Sequence, residues 1–208
     1  MKSNAFTHAE LTEEVQSPEF YEAVGEMAVT LETTNHESIF LVYRSGDKLI
    51  HSEVYSPPSA EHNEGKDPRF GINFQIDNEV LWRSALIMHS HPRMPWVLRA
   101  IGQPTHASYG DIRMLNKAHV FNRGVIGGVL AKRPYRRDSY TALFWRPDPR
   151  GYVPNRILKL ADDYERLGSD RRRIAKQAGI LTARVAVSGL LKGQPQTGDI
   201  SELGALFP

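Results

Sequence analysis

The sequence predicts an α/β domain, a mixed β-sheet flanked by helices, followed by a helical appendage. Three observations carry that expectation. Short apolar runs rich in β-branched and aromatic residues alternate with helix-spaced segments instead of being grouped apart from them. The chain has 208 residues, enough for one domain with a real hydrophobic core and an extension beyond it. Pro147, Asp148, Pro149, Arg150 and Gly151 then form a cluster of breakers, after which the apolar spacing becomes helical. The expected organisation is a domain over residues 1–147, a basic helical extension over 148–192 and a loose tail over 193–208.

Taken in order, "SPEFYEAVGEMAVTLE" opens with Ser17 as a cap and Pro18 at the first helical position, so a helix is expected there. "SIFLVYR" and "KLIHSEVY" read as two strands joined by the short turn "SGD". The polar, breaker-rich stretch over 56–69 reads as a loop. "INFQI" is expected to be a strand, "DNEVLWRS" a short helix and "ALIM" a strand leading into His89. Residues 93–107 carry prolines and a glycine that discourage regular structure, while "SYGDIRMLNKAHVF" is helix-spaced. "GVIGGVLA" and "SYTALFW" are strand-like, separated by the charged turn "KRPYRRD". From Asn155 to about Lys192 the residues Ile157, Leu158, Leu160, Tyr164, Leu167, Ile174, Leu181 and Val185 are spaced for helices, interrupted near Gly168 and Gly179.

Composition narrows the chemistry. Cysteine is absent, which removes disulfides and thiolate metal sites, so any zinc must rest on histidine and carboxylate. The first sixteen residues lack the apolar core of a signal peptide, and no uncharged apolar run is long enough to span a bilayer; a soluble cytoplasmic protein is expected. The net charge of +2 conceals an asymmetry: residues 1–131 carry 11 Lys+Arg against 16 Asp+Glu, and residues 132–192 carry 15 against 6. The basic segment is of the kind that contacts an acidic protein partner or nucleic acid, although a solvated surface is the plainer reading and no aromatic-interleaved RNA-binding pattern accompanies it.

The motif that carries chemistry is "MHSHP" at residues 88–92. In a strand, alternate residues share a face, so His89 and His91 project together and Ser90 points away. Two converging imidazoles suggest a metal. Downstream, "SYGD" places Asp111 three residues after Ser108 at the start of a helix, where the pair also has the form of a capping box. Upstream, Glu37 stands at the entrance to a strand. Two neutral imidazoles and one carboxylate make three ligands, leaving the fourth position of a tetrahedral Zn²⁺ open for water, as catalytic zinc requires. Glu37 is then the candidate general base, and Ser108 a hydroxyl suited to stabilising an oxyanion. Glu32 and Glu79 are weaker candidates for that base. His36, His51, His62, His106 and His119 are read as structural or exposed, with His106 a candidate accessory group.

The ordered set Glu37, His89-Ser90-His91, then Ser108 and Asp111 resembles the signature of the JAMM metalloproteases, built on the JAB/MPN domain. The element order over residues 17–147 resembles that domain too, in its prokaryotic form, and implies its cytidine-deaminase-like fold. The spacing departs from the family: sixteen residues separate His91 from Ser108, more than is usual there. The resemblance implies zinc held by His89, His91 and Asp111, with Glu37 and Ser108 catalytic. It further implies a peptidase or isopeptidase acting at or near the C-terminus of a ubiquitin-like or sulfur-carrier-like protein. The alternatives are a non-hydrolytic scaffold of the same domain, or a zinc hydrolase that reaches nucleic acid through the basic segment. The loop over 93–107 lies between two ligands and carries Trp96, Val97, Leu98 and Ile101, so it is expected to border the cleft as a lid or groove wall, the plainer alternative being that these groups pack against the domain.

Overall fold

The computed structural model describes residues 5–56, 83–91, 109–121, 123–133, 136–150 and 179–208. Its first helix, α1 (His8–Glu14), was not expected from apolar spacing; a capping box makes it. The Thr7 hydroxyl accepts from the Glu10 backbone N–H at 3.2 Å, and the Glu10 carboxylate accepts from the Thr7 N–H at 2.8 Å. The expected helix follows as α2 (Pro18–Thr33), with the Ser17 hydroxyl accepting from Phe20 N–H at 3.0 Å. Its buried residues Phe20, Ala23, Val24, Met27, Ala28 and Leu31 form one stripe.

The strands are β1 (Ile39–Ser45), β2 (Lys48–His51), β3 (Ser84–His91), β4 (Ile126–Lys132), β5 (Ser139–Pro147), β6 (Ile180–Ser188) and β7 (Gln196–Thr197). They form one seven-stranded sheet in the order β2-β1-β3-β4-β5-β6-β7. Among the described residues only β3 and β4 pair in parallel, so the sheet is mixed. Helix α3 (Tyr109–Phe121) lies in the connection between those two strands. The α/β expectation therefore holds.

Register divides the sheet into two faces. Phe40, Met88, Gly128 and Phe144 lie in one register row, and Phe20 of α2 meets Phe40 and Phe144 at ring separations of 6.1 and 6.5 Å. That row marks the face covered by α2 and the main core. Ile39, His89, Val129 and Leu143 form the next row and point the other way. Among the described residues, no helix is long and apolar enough to cross a membrane.

Two expectations about the C-terminal third fail where it is described. Helix was expected up to Lys192, yet Ile180–Ser188 is β6, paired with β5 from Ser139↔Ser188 to Pro147↔Ile180. Leu181 and Val185 suggested a helical spacing, but the buried series is Ala183, Val185 and Val187, a period of two. The tail over 193–208 is not loose either. It adds β7 to the sheet edge and ends in a 3-10 turn (Ser201–Leu206) that inserts Leu203 and Leu206 into the core. The sheet thus continues past the breakers at 147–151 instead of ending there. The second hairpin strand is also shorter than expected: after His51 only a bridge between Tyr55 and Ile39 continues it. The expected strand at "INFQI", the loops over 56–69 and 93–107, and the helical segment over 155–178 lie outside the described residues, apart from Ser56.

Candidate metal centre

The centre grows out of β3. All eight of its residues are buried, so each polar side chain must find its partner inside the protein. Alternation sends His89 and His91 to the face opposite Met88, and their rings lie 5.0 Å apart with the two Nε2 atoms at 3.1 Å. Helix α3 supplies the third group. Asp111 stands in its first turn, where the positive end of the helix dipole favours a carboxylate. Its Oδ1 is 2.8 Å from His89 Nε2 and its Oδ2 is 3.2 Å from His91 Nε2.

Electrostatics makes these groups interdependent. Burial opposes a charge on His89, but the Asp111 carboxylate overrides it through its charge and hydrogen bond, with smaller help from Glu37 and the Gly128 backbone. The imidazole is held at about 9 against an ordinary 6.5. Asp111 is desolvated too, and the two imidazoles nevertheless keep it well below its ordinary 3.8. The same carboxylates that raise the imidazole would favour a cation among these three groups. His89 Nδ1 is buried and has no partner of full hydrogen-bond geometry among the described residues, so the Gly128 contribution is a weak one.

The donor set fits a divalent metal. Ligand atoms arranged tetrahedrally about 2.0–2.1 Å from zinc lie about 3.3 Å from one another. One ligand atom from each of the three groups lies within 4.8 Å of the others, and the closest approaches are 2.8–3.2 Å. A small outward shift would admit the ion in place of the proton.

Glu37 approaches from β1, two residues before its first strand position. It is buried, and its Oε1 is 3.7 Å from His89 Nε2. That is too far for a direct hydrogen bond, so Glu37 acts on the imidazole through its charge. Trp145 forms a wall of the site, its ring edge-on to His89 at 6.2 Å between centroids. Gly127 makes that possible: a Cβ there would sit 2.4 Å from Trp145 Nε1.

Of the expected site residues, His89, His91, Asp111 and Glu37 are brought together, and Ser108 lies outside the described residues. Glu79, His62 and His106 also lie outside them. Glu32, the other upstream carboxylate considered, is engaged elsewhere, bonded to Lys132 and accepting from the Tyr140 hydroxyl at 3.0 Å. His51 is structural, with Nε2 2.8 Å from the buried Glu14 carboxylate and its ring stacked on Phe40. Sequence reasoning overlooked Trp145 and Gly127. The pair Gly127-Gly128 inside a strand was a readable sign of close packing. Compared with known proteins, the chain matches no protein-family model and no curated protein.

Proposed function

We propose that the chain is a zinc-dependent hydrolase of the JAMM type on an MPN-like fold. Its proposed reaction is cleavage of a peptide or isopeptide bond at or near the C-terminus of a ubiquitin-like or sulfur-carrier-like protein, in the cytoplasm. One observation carries this reading. Glu37, His89, His91 and Asp111, contributed by three separate elements, meet on one face of the sheet in the arrangement that metal-assisted hydrolysis needs.

Bound by His89, His91 and Asp111, zinc would supply a Lewis acid that lowers the pKa of water toward about 7. Asp111 serves as ligand and as the charge that orients both imidazoles. Glu37 accepts the proton of the attacking water and returns it to the departing amine, so that one water is consumed and a carboxylate and an amine are released. Ser108 is assigned the oxyanion-stabilising hydroxyl on the sequence alone. Trp145 excludes water from one side of His89 and fixes the ring plane.

The test uses the purified full chain. Elemental analysis is expected to find about one zinc per chain, as a three-ligand catalytic site binds it; His89→Ala at full occupancy overturns the assignment. A panel of ubiquitin-like and sulfur-carrier-like proteins, each bearing a fluorogenic amide at its C-terminus, then reads hydrolysis. Glu37→Gln is expected to keep zinc and lose on the order of a hundredfold in turnover. Zinc binding without cleavage of any panel member overturns the hydrolase reading in favour of a scaffold. Zinc-dependent cleavage of DNA or RNA would overturn the substrate class.

A further inference from the structure

Ser90, between the two histidines, faces away from the metal centre. Its hydroxyl accepts the Ser38 backbone N–H at 2.9 Å and lies 3.0 Å from the Ser38 hydroxyl. The Ser90 N–H in turn donates to the Ser38 carbonyl at 2.8 Å. Both serines are fully buried, so no water competes for these bonds, and losing one strands a polar group in the interior. Ser38 immediately follows Glu37, whose own carbonyl accepts from the Ser56 hydroxyl at 3.3 Å.

We propose that Ser38 and Ser90 form a clamp that positions the Glu37 carboxylate against the metal-binding triad. The inference rests on the hydrolase reading above and assigns to two residues the task of aligning base with ligands. The backbone bond from Ser90 N–H holds Ser38 at its carbonyl end. The Ser90 hydroxyl holds the other end of the same residue, the N–H of the peptide that joins it to Glu37. Displacing a catalytic group by about 1 Å costs on the order of a hundredfold in rate, so a pin one residue away has leverage on turnover. Both serines act through Glu37 and are positioning residues.

The experiment compares wild type, Ser90→Ala, Ser90→Thr and Ser38→Ala as zinc-loaded full chains, at a temperature where all are folded. It measures zinc affinity by chelator competition, amide exchange over residues 37–40, and kcat and KM on whichever panel protein wild type cleaves. Ser90→Ala is expected to exchange the Ser38 amide faster and to lose roughly ten- to a hundredfold in kcat, the range typical of groups that orient a metal site from outside. KM and zinc affinity are expected to stay near wild type. Ser38→Ala, which keeps the N–H bond, is expected to lose less, and Ser90→Thr, which restores a hydroxyl, to recover most of the rate. Faster exchange with unchanged kcat overturns the clamp and leaves the bonds purely structural. A zinc loss that accounts for the whole rate loss overturns it as well, because the serines would then hold the ligands and not the base. If Ser90→Ala fails to fold, Ser38→Ala decides by the same criteria. A wild type that binds zinc but cleaves nothing fails the hydrolase reading itself, whereas an active wild type with equally active serine variants fails the clamp alone.

Discussion

His89 and Asp111 make the stability of the metal-free protein depend on pH in a direction that follows from their shifts. His89 holds its proton up to about 9 in the folded chain against an ordinary 6.5, so its contribution is fully present below 6.5 and is lost as pH rises toward 9. Asp111 is depressed below 3.8, so its contribution is present above that value and is lost on acidification through its lower folded value. The metal-free chain is therefore expected to show a falling Tm between pH 6.5 and 9, measured by calorimetry after chelation. Asp111→Asn is expected to flatten that fall, since the carboxylate is the main group raising the imidazole. Zinc must displace the same proton, so binding at neutral pH is expected to release it, and the loaded protein to lack the alkaline decline. An alkaline decline identical in Asp111→Asn would place its origin elsewhere.

Among the elements, β4 shows how a strand is shaped by what crosses it. Gly127 and Gly128 face opposite sides of the sheet. A Cβ at Gly128 would meet Met88 Sδ at 2.4 Å on the core face, and one at Gly127 would meet the Trp145 ring on the site face. Each glycine is the space occupied by a large side chain from a neighbouring strand. Gly127→Ala forces a rigid indole to move and is expected to destabilise the fold by about 1–3 kcal/mol, the usual range for overpacking. Because Trp145 abuts His89, the same variant is expected to lower zinc affinity, which chelator competition would detect. Unchanged stability and affinity would show that the ring relaxes without strain.

For the whole molecule, the C-terminal residues decide how large the folded unit is. Leu203 and Leu206 are fully buried and belong to the same core as Phe20, Phe40 and Phe144. The backbone joins in: the Glu202 carboxylate accepts the Arg184 N–H of β6 at 3.1 Å, and the Phe207 ring lies 5.6 Å from that of His8. Leu203→Ala is accordingly expected to cost about 2–5 kcal/mol, the range for emptying a buried leucine site. Chemical denaturation would measure it, and a loss below about 0.5 kcal/mol would return the segment to the status of a tail.

What the sequence by itself determined was whatever is written in short-range spacing. The Ser17-Pro18 start of α2, the strand that makes His89 and His91 neighbours, and the presence of Asp111 in the first turn of a helix all follow from the preferences of a few adjacent residues. The tertiary structure decided which distant pieces meet. That Asp111 reaches both imidazoles depends on the parallel pairing of β3 with β4 and the helix between them, and Glu37 stands 3.7 Å from His89 only because β1 lies against β3. Leu181 and Val185 suggested helix for Ile180–Ser188; the free edge of β5, whose N–H and C=O groups needed partners, made it a strand. Local periodicity records which face a side chain takes, whereas strand order and the closing of the core depend on contacts between residues far apart in the chain, which no local pattern encodes.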